Sequence, residues 1–104
     1  MDEAVYEARG DTLFVRGTLN WPLDVRFDIE TRNHVEAARK RGAKEIVLDL
    51  TGVTYMGSQY LGAISALGGE VRRHGGNLVV RAKGKVADTL RQVGLHRVLV
   101  LDLE

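Results

Sequence analysis

Apolar positions along this chain recur at two spacings, every second residue or every third to fourth, and each change of spacing marks an element boundary. Val5-Tyr6-Glu7-Ala8-Arg9 reads as a short strand and Leu13-Phe14-Val15-Arg16-Gly17-Thr18-Leu19 as a second. Gly10 and Asp11 between them tolerate the positive φ of a tight turn, so the pair predicts an antiparallel hairpin. Asn20-Trp21-Pro22-Leu23-Asp24 interrupts the pattern, because Pro22 has no donor for a strand ladder. Asp24 is placed to cap a helix starting near Val25 and running to Arg41. Phe27, Thr31, Val35 and Ala38 form its apolar face, and Gly42 can end it. Arg26-Phe27-Asp28-Ile29 also fits an alternating strand, which leaves the start of that helix open.

Glu45-Ile46-Val47-Leu48-Asp49-Leu50 is nearly continuously apolar, the pattern of a parallel strand buried on both faces. Thr51 to Gly57 then reads as a loop. Ser58 to His74 is the clearest helix, with Leu61, Ile64, Leu67 and Val71 as its stripe and Tyr60, Ala63 and Ala66 widening it. Leu78-Val79-Val80-Arg81-Ala82 predicts a strand, and Val86, Leu90 and Val93 a short helix. Gly94-Leu95 fits a helix stop, and Val98 to Leu103 predicts a last strand. The order ββαβαβαβ predicts an α/β fold: a mixed, mostly parallel sheet of about five strands with an N-terminal hairpin and three helices. Residues 1–104 read as one domain, without repeat or linker.

Composition narrows the chemistry. Hydrophobic residues make up 44% and charged residues 28%, as in a folded globular domain. The absence of Cys excludes disulfides, thiolate metal sites and a cysteine nucleophile. A net charge of +1 points neither to nucleic acid nor to an anionic membrane. The basic run Arg39-Lys40-Arg41 is explained by the negative end of a helix dipole, so no direct nucleic-acid contact is expected. No apolar run approaches the length of a membrane span, and Met1-Asp2-Glu3 is acidic without an apolar signal region. A cytoplasmic protein without membrane insertion is therefore expected. Arg9-Gly10-Asp11 spells an integrin-type tripeptide, which the hairpin turn fully explains.

Catalytic constellations are missing. His34, His74 and His96 fall on expected helix surfaces or loops, and none sits beside a serine and an orienting carboxylate. Gly57-Ser58-Gln59-Tyr60 lacks the second Gly of a nucleophile elbow. No histidine pair has metal-ligand spacing, and Lys83-Gly84-Lys85 is too short for a phosphate loop. Neither enzyme activity nor a cofactor or metal is expected. Ser58 stands out by position, since it opens the clearest helix. Its ordinary role is an N-cap whose hydroxyl accepts a free backbone N–H. The same place suits a phosphate, which would meet the positive end of the helix.

The run Ile46-Val47-Leu48-Asp49-Leu50-Thr51-Gly52-Val53-Thr54-Tyr55-Met56-Gly57-Ser58-Gln59-Tyr60-Leu61-Gly62 resembles the signature of STAS domains, which include bacterial anti-sigma factor antagonists. The family pattern is an apolar strand ending in Asp-Leu or Asn-Leu, a short loop, and Asp-Ser-Ser-Gly-Leu-Gly opening a helix. Arg73-His74-Gly75-Gly76-Asn77-Leu78-Val79-Val80 resembles the family's helix exit and next strand, and Val93-Gly94-Leu95 with Val98 its last helix stop and strand. Arg16-Gly17-Thr18-Leu19-Asn20 resembles the end of its second strand, so the likeness covers essentially the whole chain.

The resemblance implies a protein-binding regulator of transcription. In such antagonists the unmodified domain binds an anti-sigma factor that is also a serine kinase. Phosphorylation of the first Ser of the motif ends binding. Ser58 matches that residue, and the docking corner would comprise Asn20, Gly57, Ser58, Gln59, Tyr60 and Leu61, flanked by Glu70 and Arg73. The chain departs from the pattern beside the hydroxyl. Gly57 stands for Asp, Gln59 for Ser, Tyr60 for Gly, and Asn20 for the Asp that ends the second strand. Tyr60 puts a large ring on the first turn, to pack in the core or reshape the docking face. STAS-like domains also serve as non-switching scaffolds or subunits of signalling or lipid-transport complexes, and some have been suggested to bind nucleotides.

Overall fold

A computed structural model describes residues 3–104. Met1 and Asp2, on which the expected acidic start partly rests, lie outside the described residues. The hairpin forms as expected, with β1 (Val5–Arg9) antiparallel to β2 (Thr12–Leu19). Helix α1 (Val25–Lys40) starts where Asp24 caps it, the carboxylate accepting the Arg26 N–H at 2.8 Å. That settles the open start in favour of helix. Strand β3 (Glu45–Met56), helix α2 (Gln59–Arg73), strand β4 (Asn77–Ala82), helix α3 (Gly84–Gln92), a single 3-10 turn (Leu95–Arg97) and strand β5 (Val100–Leu103) complete the chain. Gly42 and Gly94 follow α1 and α3 with φ of 82° and 64°, the left-handed geometry of helix stops.

The sheet order is β1-β2-β3-β4-β5, with every pair after the hairpin parallel. Each crossover moves the chain one strand further in the same direction. With the right hand that such connections take, all three helices lie on one face. Burial agrees. Leu13, Val15, Ile46, Leu48, Leu50, Leu78, Val80 and Ala82 on the helix side are buried, whereas Phe14, Arg16, Arg81 and Val100 on the other side are exposed. The expectation that β3 is buried on both faces holds only in part, since on the side away from the helices Asp49 is buried, its carboxylate accepting the Thr51 N–H and hydroxyl. Val47 is only half-buried, and β3 is apolar mainly because one side needs Ile46, Leu48 and Leu50.

β3 also runs six residues past its expected end at Leu50. The extension pairs with the second half of β2, Arg16 opposite Gly52 and Leu19 opposite Met56. From the Phe14–Asp49 pair to the Arg16–Gly52 pair, β3 advances three residues while β2 advances two, and a second such slip follows Gly17. These bulges break the alternation, so Thr51 to Met56 does not look like a strand in sequence.

The core is continuous from the sheet to all three helices. In α2 its centre is Tyr60, Ile64, Gly68 and Val71, with Leu61 and Leu67 at the margin. His34 is buried, against expectation. Its ring faces the sheet side of α1, and Nε2 donates to the Asp11 carbonyl at 3.0 Å. The same carbonyl accepts the Val47 N–H. Arg41 bonds to the Gly10 carbonyl and the Asp11 carboxylate, and Arg39 to Glu36. Two of the three residues of the basic run thus hold the hairpin turn and the helix surface.

Candidate functional site

Because β2 to β5 are parallel and each helix returns the chain, the N-termini of α1, α2 and α3 gather at one end of the sheet. This end of parallel strands is where loops can build a site over a fixed scaffold. Ser58 lies here, directly after β3. The Gly57 N–H continues the strand ladder by donating to the Leu19 carbonyl at 2.8 Å. The helix then opens on two short bonds, Tyr60 N–H to the Gly57 carbonyl and Leu61 N–H to the Ser58 carbonyl, both 3.1 Å.

This first turn overturns the cap reading. Ser58 is itself helical, at φ −63° and ψ −21°, and its side chain makes no capping bond. A capping serine needs an extended backbone to reach back to the first N–H groups. Here the Gly57 carbonyl opens the helix instead, and the Ser58 hydroxyl stays exposed. Gln59 is exposed too, and its side chain lies over Gly57, within 2.5 Å of where a Cβ on that glycine would stand. Gly57 itself is buried.

Tyr60 settles in the core. Its side chain is completely buried, and its ring meets Phe27 of α1 edge to face with centroids 5.0 Å apart. Its hydroxyl emerges under the β2–α1 loop, donating to the Asn20 carbonyl and accepting the Asp24 N–H, each at 2.9 Å. The residue that replaces the motif's Gly thus braces the loop from below and shapes the corner without touching anything outside. Asn20 is half-buried beside it, with its amide on the Thr18 hydroxyl at 3.1 Å.

The loop above carries apolar surface. Trp21 is 72% exposed and Val25 71%, with Leu23, Ile29 and Tyr55 also open to solvent. A groove of about 550 Å³ runs between this loop, Glu3, Ala4, Thr18, Arg26 and the Tyr60 hydroxyl. Trp21 gives no periodic signal in the sequence, because it stands alone in the break between β2 and α1. A lone Trp in such a break was the available clue.

Glu70 and Arg73 do not join the corner. They are twelve or more residues further along α2, which is about 18 Å at a helical rise of 1.5 Å per residue. There they pair with each other, and Glu70 also meets His74 at 3.3 Å. His96 is exposed on the 3-10 turn. Among the described residues no cluster of three metal-ligating side chains occurs, and no helix is long and apolar enough to cross a membrane.

The STAS domain family model matches residues 5–104, and the chain belongs to that family. No curated relative matches it in sequence. Two solved structures of SpoIIAA share its fold. The anti-sigma factor antagonist SpoIIAA in its unphosphorylated form is 15% identical with a TM-score of 0.60, covering 96% of this chain and 87% of that one. SpoIIAA in the phosphorylated form, described as a Bacillus cell fate determinant, is 18% identical with a TM-score of 0.59, covering 98% and 93%. At these identities the likeness is one of fold. The element order and the N-terminal hairpin are as the residue spacing predicted.

Proposed function

We propose that this protein is a regulatory docking module of the anti-sigma factor antagonist kind. It binds a partner that is both anti-sigma factor and serine kinase, and acts by binding rather than by catalysis. The docking corner is built by Asn20, Gly57, Ser58, Gln59, Tyr60 and Leu61, in which Gly57 and Tyr60 shape the backbone and the exposed side chains make the contact. Phosphorylation of Ser58 is the switch.

One observation carries this reading: the Ser58 hydroxyl is exposed at a helix start and is not used as a cap. A serine kept only for capping would spend its hydroxyl on a backbone N–H. A phosphate there adds nearly two negative charges beside the positive helix end and changes the surface a partner meets, without refolding the domain. Incubation with purified serine-kinase anti-sigma factors and ATP, followed by site mapping by mass spectrometry, tests it. The expected result is one phosphate on Ser58.

The neutral neighbours favour a second reading. Gly57 puts no carboxylate beside the hydroxyl and Gln59 covers that glycine, so the same corner suits a constitutive contact in a signalling or transport assembly. Stable partner binding with Ser58 unmodified in the presence of ATP would select it.

A further inference from the structure

One carboxylate is buried on the face of the sheet that no helix covers. Asp49 is 7% exposed, although its neighbours across the strands, Phe14 on β2 and Arg81 on β4, are open to solvent. Its Oδ1 accepts both the Thr51 N–H at 2.9 Å and the Thr51 hydroxyl at 2.7 Å. The pairing slip between β2 and β3 falls at the same place, where a bulge re-aims side chains. Among the described residues, Oδ2 has no hydrogen-bond partner and Asp49 has no ion pair. Only the Tyr6 hydroxyl is both sealed from solvent and unpartnered among those residues, so Oδ2 is reachable from outside.

Three arginines share this face without meeting the carboxylate. Arg81 turns to Asp102 at 3.3 Å, and Arg9 to Glu7 at 2.8 Å, with its guanidinium 5.9 Å from the centre of the Phe14 ring. Arg16 makes no ion pair or side-chain hydrogen bond among the described residues. It sits against Gly52, where a Cβ would come within 2.7 Å of the Arg16 Cβ, so the glycine leaves it that place.

Asp49, Thr51, Arg16, Val5 and Phe14 line one recess of about 280 Å³. That is just below the range of ordinary ligand pockets, which limits an occupant to a small molecule. The charges decide its kind. A simple cation would meet Asp49 but face Arg16, and a simple anion would meet Arg16 but face Asp49. Arg9 and Glu7 already answer each other. A buried carboxylate with donors on one oxygen only favours a ligand that brings a charged donor to the other. A molecule with an ammonium and a carboxylate satisfies both sides. Val5 and Phe14 offer exposed apolar surface in the same recess, so the rest of that molecule is apolar. We propose that this recess binds a small zwitterion, an α-amino acid with an aliphatic side chain. Its ammonium donates to Asp49 Oδ2, its carboxylate accepts from the Arg16 guanidinium, and its side chain lies on Val5 and Phe14. The recess shares no residue with the Ser58 corner, and binding here does not depend on the docking reading.

The full chain, labelled with nitrogen-15, is titrated with L-leucine, L-isoleucine and L-valine, and with two leucine analogues: isopentylamine, which lacks the carboxylate, and isocaproate, which lacks the amine. Saturable amide shifts at Arg16, Thr51 and Gly52 are expected with at least one amino acid. Each analogue is expected to bind about tenfold more weakly or worse, because it leaves one charge unanswered. Asp49→Asn keeps an oxygen for Thr51 and puts an amide donor in place of Oδ2, and Arg16→Gln changes only an exposed side chain. Each is expected to weaken amino-acid binding about tenfold or more while the amide spectrum stays that of the folded domain. Should Asp49→Asn lose the fold, Arg16→Gln and the two analogues still decide. No saturable shift with any of the three amino acids overturns the site. An analogue that binds as tightly as leucine overturns the zwitterion, and undiminished binding by Arg16→Gln or by folded Asp49→Asn overturns the roles given to these side chains.

Discussion

Phe27 and Tyr60 meet edge to face, with centroids 5.0 Å apart and planes at 88°, and this contact ties the first turns of α1 and α2 into one core. Both rings are almost fully buried. The pair explains how a large aromatic residue fits where the family motif has Gly: α1 supplies a ring to receive it, and the β2–α1 loop supplies partners for the hydroxyl. Replacing Tyr60 with Gly would restore the motif's residue but leave a cavity under the loop. A loss of about 3–5 kcal/mol is expected, measured by urea unfolding. Tyr60→Phe removes only the two hydrogen bonds and should cost about 1–3 kcal/mol.

Ser58 and Asp24 begin their helices differently, and substitution should show it. Asp24 caps α1 through the Arg26 N–H, so Asp24→Ala is expected to cost about 1 kcal/mol. Ser58 makes no such bond, so Ser58→Ala should stay within about 0.5 kcal/mol of wild type. Chemical unfolding of the two variants side by side checks the contrast. A loss at Ser58 equal to that at Asp24 would restore the cap.

Gly68 and Gly69 are neighbours in α2 with opposite expectations. A Cβ on Gly68 would run into the Leu99 side chain and come within 2.6 Å of the Val98 carbonyl oxygen, whereas one on Gly69 meets nothing within 4 Å. Gly69→Ala should therefore stabilise the protein by about 0.5–1 kcal/mol through helix propensity. In Gly68→Ala the clash with backbone outweighs that gain, and a net loss of about 1–3 kcal/mol is expected. Thermal melts of both variants give the two signs directly.

Tyr6 sets the behaviour at high pH. Its hydroxyl is buried without a hydrogen-bond partner among the described residues. Burial, reinforced by the nearby Asp24 charge, pushes its pKa above the ordinary tyrosine value near 10. The folded state then holds the proton more tightly than the unfolded chain. This contribution is fully present below pH 10 and is lost as pH rises from there toward the folded value. Stability should fall above about pH 10, and Tyr6→Phe should flatten that fall. At neutral pH the same variant should be no less stable than wild type, because it removes an unsatisfied polar atom.

Much of this architecture can be read from residue spacing. Phe27, Thr31, Val35 and Ala38 give α1, and Gly42 and Gly94 give helix stops. The alternation of strands and helices gives a parallel sheet. What escaped depends on pairing across the sheet. Thr51 to Met56 forms a strand only because the end of β2 lies beside it, and two bulges erase its period. His34 looked like a surface histidine until the Asp11 carbonyl came within reach across the hairpin turn. The open sheet face follows from three crossovers running in one direction, which no local window contains. At the site, the position of Ser58 was legible and its hydrogen bonding was not. Whether a serine caps depends on its own backbone angles, and those were set by the Gly57 N–H joining the strand ladder. The role of Tyr60 was legible only as two alternatives, and the Asn20 carbonyl and Asp24 N–H decided for the core.

The most direct test of the central claim is the affinity of the serine-kinase partner for the protein with and without phosphoserine at position 58, measured by calorimetry on otherwise identical chains. An exposed, unengaged hydroxyl within a docking corner predicts saturable binding by the unmodified chain, weakened about tenfold or more by the phosphate. Equal affinities for the two forms would contradict a switch at Ser58.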